Sequence, residues 1–296
     1  MSKSLKFILL AGVASLPLPA LAQEFGGAIT FGYGIGEISD LNTDIDSATI
    51  DGDISVDLGN GFSLGARGSY ANIDIDMLPI DISGNLLGLN AAYSFGGGAW
   101  MGAYTEHSDI SIDMLPVNFG LTHYGIEGGY KAANYGVSGF AGKGSDLTSY
   151  GIAASYNPMA GTVLGANAMR SELSVSGMDA DISTYGVAAA HSFTGNFGVF
   201  AGVGRSTISG VDADLTTYGI GGSYTFTQLQ SPIVASLELA RTDLNMGGSG
   251  TDFDTVRLGL TFPFGNKASV VPNNSVAGAI LNPSHSAISQ TVLMAF

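Results

Sequence analysis

Side-chain character changes at every second residue through most of this chain. In residues 214–226 the even positions carry Asp214, Thr216, Tyr218, Ile220, Gly222, Tyr224 and Phe226, while the odd ones carry Leu215, Thr217, Gly219, Gly221, Ser223 and Thr225. A strand points successive side chains to opposite faces, so this segment has one apolar, aromatic face and one small, polar face. The same alternation runs through Ile29, Phe31, Tyr33 and Ile35, and through Val256, Leu258, Leu260, Phe262 and Phe264. A soluble sandwich would put Val, Leu and Ile on its inner face. Here the second face is Gly, Ala, Ser and Thr with scattered charges, which suits a wall against water, and the aromatic-edged apolar face suits lipid. Strands cross a bilayer only as a closed barrel, because lipid cannot satisfy an open edge.

The chain also repeats itself. "DADISTYGVAAAHSF" from Asp179 and "DADLTTYGIGGSYTF" from Asp212 align without a gap, 33 residues apart. Two classes of break alternate between about residues 24 and 264. One class, such as residues 59–61, 96–98 and 194–196, has no acid; the other is flanked by aspartates, among them Asp179, Asp181, Asp212 and Asp214. The count is fourteen strands, each long enough for a tilted crossing of about 9–11 residues. Each copy of the repeat reads as a strand running from an acidic outer rim to an aromatic inner girdle, and 33 residues is one hairpin.

The termini differ from the middle. Lys3 and Lys6, an apolar run and Ala20-Leu21-Ala22 form a secretory signal peptide over residues 1–22, implying export. The formal charge of −15 becomes −17 once Lys3 and Lys6 are removed, and cysteine is absent, so no disulfide holds the fold. The barrel occupies residues 23–264. Residues 265–296 lose the alternation, and two readings stand. Either they add two strands, making sixteen, or they form short helices capped by Asn274 or Ser275 and by Ser284 or Ser286, as an appendage or a plug. Pro272 and Pro283 favour helices. The expected fold is thus an all-β, transmembrane, antiparallel up-and-down barrel with a short C-terminal tail.

With its signal peptide, lack of cysteine, acidic Gly- and aromatic-rich alternating strands and the strand end "VRLGLTFPF" from Val256, the chain resembles the Gram-negative outer-membrane porins. That resemblance implies the cell outer membrane, contact with its lipids, passage of small hydrophilic solutes and ions, and a homo-oligomer, commonly a trimer. Such porins carry a long third loop folded inward as a constriction; the outer breaks here are too short for one.

Parity places Asp53, Asp57, Arg67, Glu127, Lys131, Glu238 and Arg257 on the inward face, as candidate pore-lining charges that would select solutes by charge and size. Ordinary solvation and ion pairing of a wet wall is the plainer account of any one of them. The acidic rim and net charge predict a mild preference for cations. No calcium loop, nucleophile elbow or Ser-His-Asp spacing occurs, so no metal, cofactor or enzymatic chemistry is expected. Eight basic residues in the mature chain make no basic patch for nucleic acid. The expected function is a passive diffusion channel; the alternative is a non-conducting structural or surface barrel.

Overall fold

The computed structural model describes residues 24–39, 43–76, 80–112, 117–175, 178–193, 196–210, 212–227, 231–265 and 271–295; the signal peptide expected at 1–22 lies outside them. Fourteen strands follow one another: β1 (Glu24–Ile38), β2 (Thr43–Gly59), β3 (Phe62–Ile75), β4 (Ile80–Gly96), β5 (Ala99–Ile112), β6 (Val117–Lys131) and β7 (Tyr135–Gly144). Then come β8 (Leu147–Tyr156), β9 (Thr162–Val175), β10 (Met178–Ser192), β11 (Phe197–Ile208), β12 (Ala213–Phe226), β13 (Ile233–Met246) and β14 (Ser249–Gly265). Each pairs antiparallel with its chain neighbour, and β1 closes the ring on β14 with Gly27 opposite Phe264 and Ile38 opposite Phe253. Closure leaves no edge for a further pair of strands. The tail instead forms α1 (Val276–Leu281) and α2 (Ala287–Ala295).

Tight turns set the register. Between β2 and β3, Asn60 and Gly61 both take positive φ, 53° and 84°, the pair of left-handed residues that matches hairpin twist. Among the exposed large apolar residues, Phe62, Phe95, Phe197 and Phe226 ring the basal end, where β1 begins and β14 ends; Tyr33, Tyr124, Tyr150, Tyr185 and Tyr218 form a second ring. Tyr218 and Phe226 are eight residues apart on β12, so the rings lie about 20 Å apart for strands rising about 3.3 Å per residue at roughly 40° tilt. Between them Ile126, Ile152, Ile220, Leu237 and Leu258 face outward. This is the apolar band of a membrane barrel.

Beyond the tyrosines the faces exchange roles. Ile38, Ile45, Ile73, Leu121, Leu147 and Ile182 turn inward and are buried, while Asp44, Asp46, Asp74, Glu172 and Asp254 are exposed. Ile38, Ile45 and Ile73 pack with Ile75, Ile82 and Phe253 into one cluster. The expectation of a small, polar inner wall therefore fails at this acidic end, where an apolar collar lines the mouth. Water on the outside of the wall reverses the pattern that lipid imposes lower down.

The tail occupies the barrel's interior. Val276, Ala277, Ala279, Ile280 and Met294 share a core with the wall residues Ala188, Ala190, Phe200 and Ala240. Helices this short are marginal alone, so the wall sustains them. Ser275 caps α1 by accepting the Gly278 N–H at 2.9 Å, and the Ser286 hydroxyl accepts Ile288 N–H at 3.2 Å ahead of α2. Two inward glycines show how closely the wall receives the tail: a Cβ at Gly186 would lie 2.7 Å from Ile280 Cγ1, and one at Gly202 would lie 3.0 Å from Ala277 N.

Candidate functional site: a tail held across the lumen

Glu238 and Arg257 are register partners on β13 and β14, only 2 % and 3 % exposed, with Nη1 to Oε2 at 3.4 Å. Val276 N–H, opening α1, donates to Glu238 Oε1 and Oε2 at 3.0 and 3.3 Å. Arg257 Nη2 donates to Met294 O at 3.2 Å and Ala295 O at 2.7 Å, closing α2. An acid thus meets unsatisfied N–H groups and a base meets unsatisfied carbonyls, which is the favourable sense at helix ends. Burying either ion alone would cost several kcal/mol; paired and hydrogen-bonded, both are tolerated.

A second attachment holds the strap between the helices. Arg67 donates through Nη1 to Pro283 O at 2.6 Å and through Nη2 to Asn282 O at 2.7 Å. His285 N–H donates to Glu106 Oε2 at 3.1 Å, and the His285 ring lies 3.4 Å from Glu106 Oε2 through Nδ1 and 3.1 Å from Glu127 Oε2 through Nε2. Glu127 Oε1 accepts from Asn90 Nδ2 at 2.8 Å, and His123 Nε2 donates to His285 O at 3.1 Å. The His285 ring stacks on Tyr104, centroids 3.8 Å apart. His285 belongs to the tail, outside the membrane-crossing strands. Burial alone would lower its pKa; hydrogen bonds and charge from Glu106 and Glu127 outweigh that and hold it above the ordinary histidine value.

Further bonds complete the circuit. Asn273 Nδ2 donates to Asp53 Oδ1 at 3.0 Å, Asn274 Nδ2 to Leu258 O at 3.1 Å and Asn167 Nδ2 to Ile280 O at 3.0 Å. Ser171 Oγ accepts Ala287 N–H at 2.9 Å, and Thr291 bonds Ser206 at 2.8 Å. The tail is therefore tied to β2, β3, β5, β6, β9, β11, β13 and β14. Five of the charges expected on the pore wall, Asp53, Arg67, Glu127, Glu238 and Arg257, meet the tail rather than open solvent. Asp57 caps its own turn through Gly59 N–H at 2.7 Å, and Lys131 is exposed at the basal end of β6.

The rim acids sit elsewhere. Asp181 accepts from Arg170 at 2.7 Å, Asp179 accepts from Ser174 at 2.6 Å, Asp214 lies 3.6 Å from Arg205, and Asp212 is exposed in the turn before β12. The parity reading missed Glu106 and the role of His285. On β5 the outward residues Ala99, Met101, Ala103 and Thr105 are weakly apolar, while Trp100 and Tyr104 share a face with Glu106, so the sequence gives that strand no clear phase.

Cavities lie between tail and wall among the described residues. One of about 350 Å³ lies on the basal side of the strap, lined by Asp53, Arg67, Asn90, Glu127, Phe140 and His285 among others. Another, about 40 Å³, lies between α2 and the inner faces of β2 to β5.

No protein-family model matches the sequence, and no curated protein matches it. Solved structures with similar barrels include the anion-selective porin from Comamonas acidovorans, 11 % identical at a TM-score of 0.49, with 81 % of this chain and 98 % of that one covered. A loop-deletion form of OmpT, an outer membrane protein of Vibrio cholerae, is 12 % identical at 0.47, covering 81 % and 98 %. A mutant of the Rh. blastica porin is 16 % identical at 0.41, covering 81 % and 99 %. What this chain shares with these proteins is a likeness of shape, and its own strand pairing establishes the closed fourteen-stranded barrel.

Proposed function

We propose that this chain is an exported outer-membrane channel of the porin type whose passage is held shut by its own C-terminal tail. The observation that carries the reading is the ring of attachments from the tail to strands on every side of the barrel. Displacing the tail would leave a fourteen-stranded lumen, intermediate between small barrels that fill with their own side chains and large ones that leave an aqueous pore. Small hydrophilic solutes and ions are the cargo this lumen suits. A mild cation preference follows from the mature charge of −17 and from the acidic end. No catalytic role is part of the proposal.

Planar-bilayer recording tests it. Full-length protein should give rare, brief openings, and protein ending at residue 265 should give steady ohmic steps. Reversal potentials under a KCl gradient should report cations ahead of anions. Because the truncated chain could misassemble, a full-length Arg257→Ala variant provides an independent release of the tail. Silence from both variants, despite a folded barrel, would favour the second reading, a non-conducting structural barrel. That reading draws its support from how deeply the Glu238 and Arg257 attachments are buried.

A further inference from the structure

The smaller cavity is lined by Thr49, Asp51, Ser69, Ser108, Asn274 and Ser289, with Leu86, Val292 and Leu293 among its apolar members. Asp51 is only 5 % exposed, and its Oδ2 has no hydrogen-bond partner among the described residues. Thr49 Oγ1 and Ser289 Oγ, on the same cavity, are likewise buried without partners. Three orphaned oxygens, two from the wall and one from α2, thus belong to residues that line one small space. Buried polar atoms in proteins are nearly always satisfied, so such a convergence calls for an occupant.

The lining decides its chemistry. An anion would face the Asp51 carboxylate. The nearest base on the neighbouring strand, Arg67, gives two of its N–H groups to Asn282 O and Pro283 O. Imidazole and thiol ligands are absent from the lining, and Asp51 is its one carboxylate, so neither a transition metal nor a calcium-type site with several acids is matched. Hydroxyl and amide oxygens around one carboxylate suit a singly charged hard cation. Each water needs about 10–15 Å³, so about 40 Å³ accommodates such an ion with one or two waters.

We propose that this cavity binds one monovalent cation of the sodium or potassium class, held by Asp51, Thr49 and Ser289, which ties α2 to the barrel wall. The inference rests on the docked tail of the reading above. Conduction plays no part in its test, so the two fail separately.

The test uses full-length protein in detergent at pH 7.5 and constant ionic strength, in sodium, potassium or N-methylglucamine chloride. Proteolytic cleavage within the tail is timed. At salt about ten times the dissociation constant, a small cation should slow cleavage about tenfold relative to N-methylglucamine. Asp51→Asn should lose that dependence, and Asp57→Asn should keep it. Equal cleavage in all three salts would overturn the proposal and leave water as the occupant. Should Asp51→Asn fail to fold, rubidium-soaked crystals of the unmodified protein decide the matter: anomalous density beside Asp51 Oδ2 supports the site, and its absence at saturating rubidium overturns it.

Discussion

Glu238 and Arg257 stand opposite one another on β13 and β14; Glu238 accepts from the start of α1, and Arg257 donates to the end of α2. Two neighbouring wall positions thereby hold the first turn of one helix and the last turn of the other.

Removing one of them should be worse than removing both. Arg257→Ala strands the Glu238 charge in the interior, a defect of about 3–5 kcal/mol, whereas an apolar replacement of the pair is often close to neutral. Arg257→Ala should expose the tail to protease. Glu238→Leu combined with Arg257→Met should restore a substantial part of the protection. Equal exposure in single and double variants would show that the pair does not act as a unit.

Docking should depend on pH through His285. The docked ring holds its proton more tightly than a free histidine of pKa about 6.5. Its contribution is therefore complete below that value and is lost as pH rises through the elevated docked value. Among the described residues, Glu106, Glu127, His123, Arg67 and Tyr104 are charged and titratable groups facing the strap. Protection factors of the tail amides, their exchange rates referred to the intrinsic base-catalysed rate at each pH, should fall as the solution turns alkaline. His285→Gln should flatten that profile over the same interval; an unchanged profile would assign the effect to other groups.

A covalent lock provides a direct test of closure. The chain has no cysteine, so Gly186→Cys with Ile280→Cys introduces a single pair. A Cβ at Gly186 lies within 2.7 Å of Ile280 Cγ1, close enough for a bridge after small adjustments. Oxidised protein should stay silent in bilayers even with Arg257→Ala present, and reductant should restore openings. Openings of equal frequency before and after reduction would mean that ions bypass the tail.

The collar should behave as a packed core. Ile73 is about 1 % exposed, and Ile73→Ala should cost about 2–5 kcal/mol in urea unfolding. Asp46, exposed on the opposite face, accepts from Tyr33 OH at 2.9 Å, and Asp46→Asn should change stability by no more than about 0.5 kcal/mol.

The sequence displays much of this architecture because a period of two survives in most strands. Tyr218, Ile220 and Tyr224 announce their shared face, and the pair Asn274 and Ser275 announces the start of α1, where Ser275 is the cap. The location of the tail is less visible. Many of its contacts join residues more than a hundred positions apart, such as Asn167 with Ile280 and Arg67 with Pro283, and no local pattern encodes such pairs. The collar escapes notice for another reason. On β2, Ile45 points inward while Ile50 and Ile54 belong to the opposite parity, so the alternation continues unbroken while the phase of its apolar members slips. Reading that slip requires knowing where lipid ends.

Reversal of the faces beyond the tyrosines gives one cylinder two kinds of solvent along its length. Urea and cooling weaken apolar burial in water, and that force holds Ile38, Ile45 and Ile73 together but not the lipid-facing band. Under either stress the barrel should fray first at the acidic end, like a sleeve unravelling from its cuff, while the part clasped by the membrane still keeps its shape.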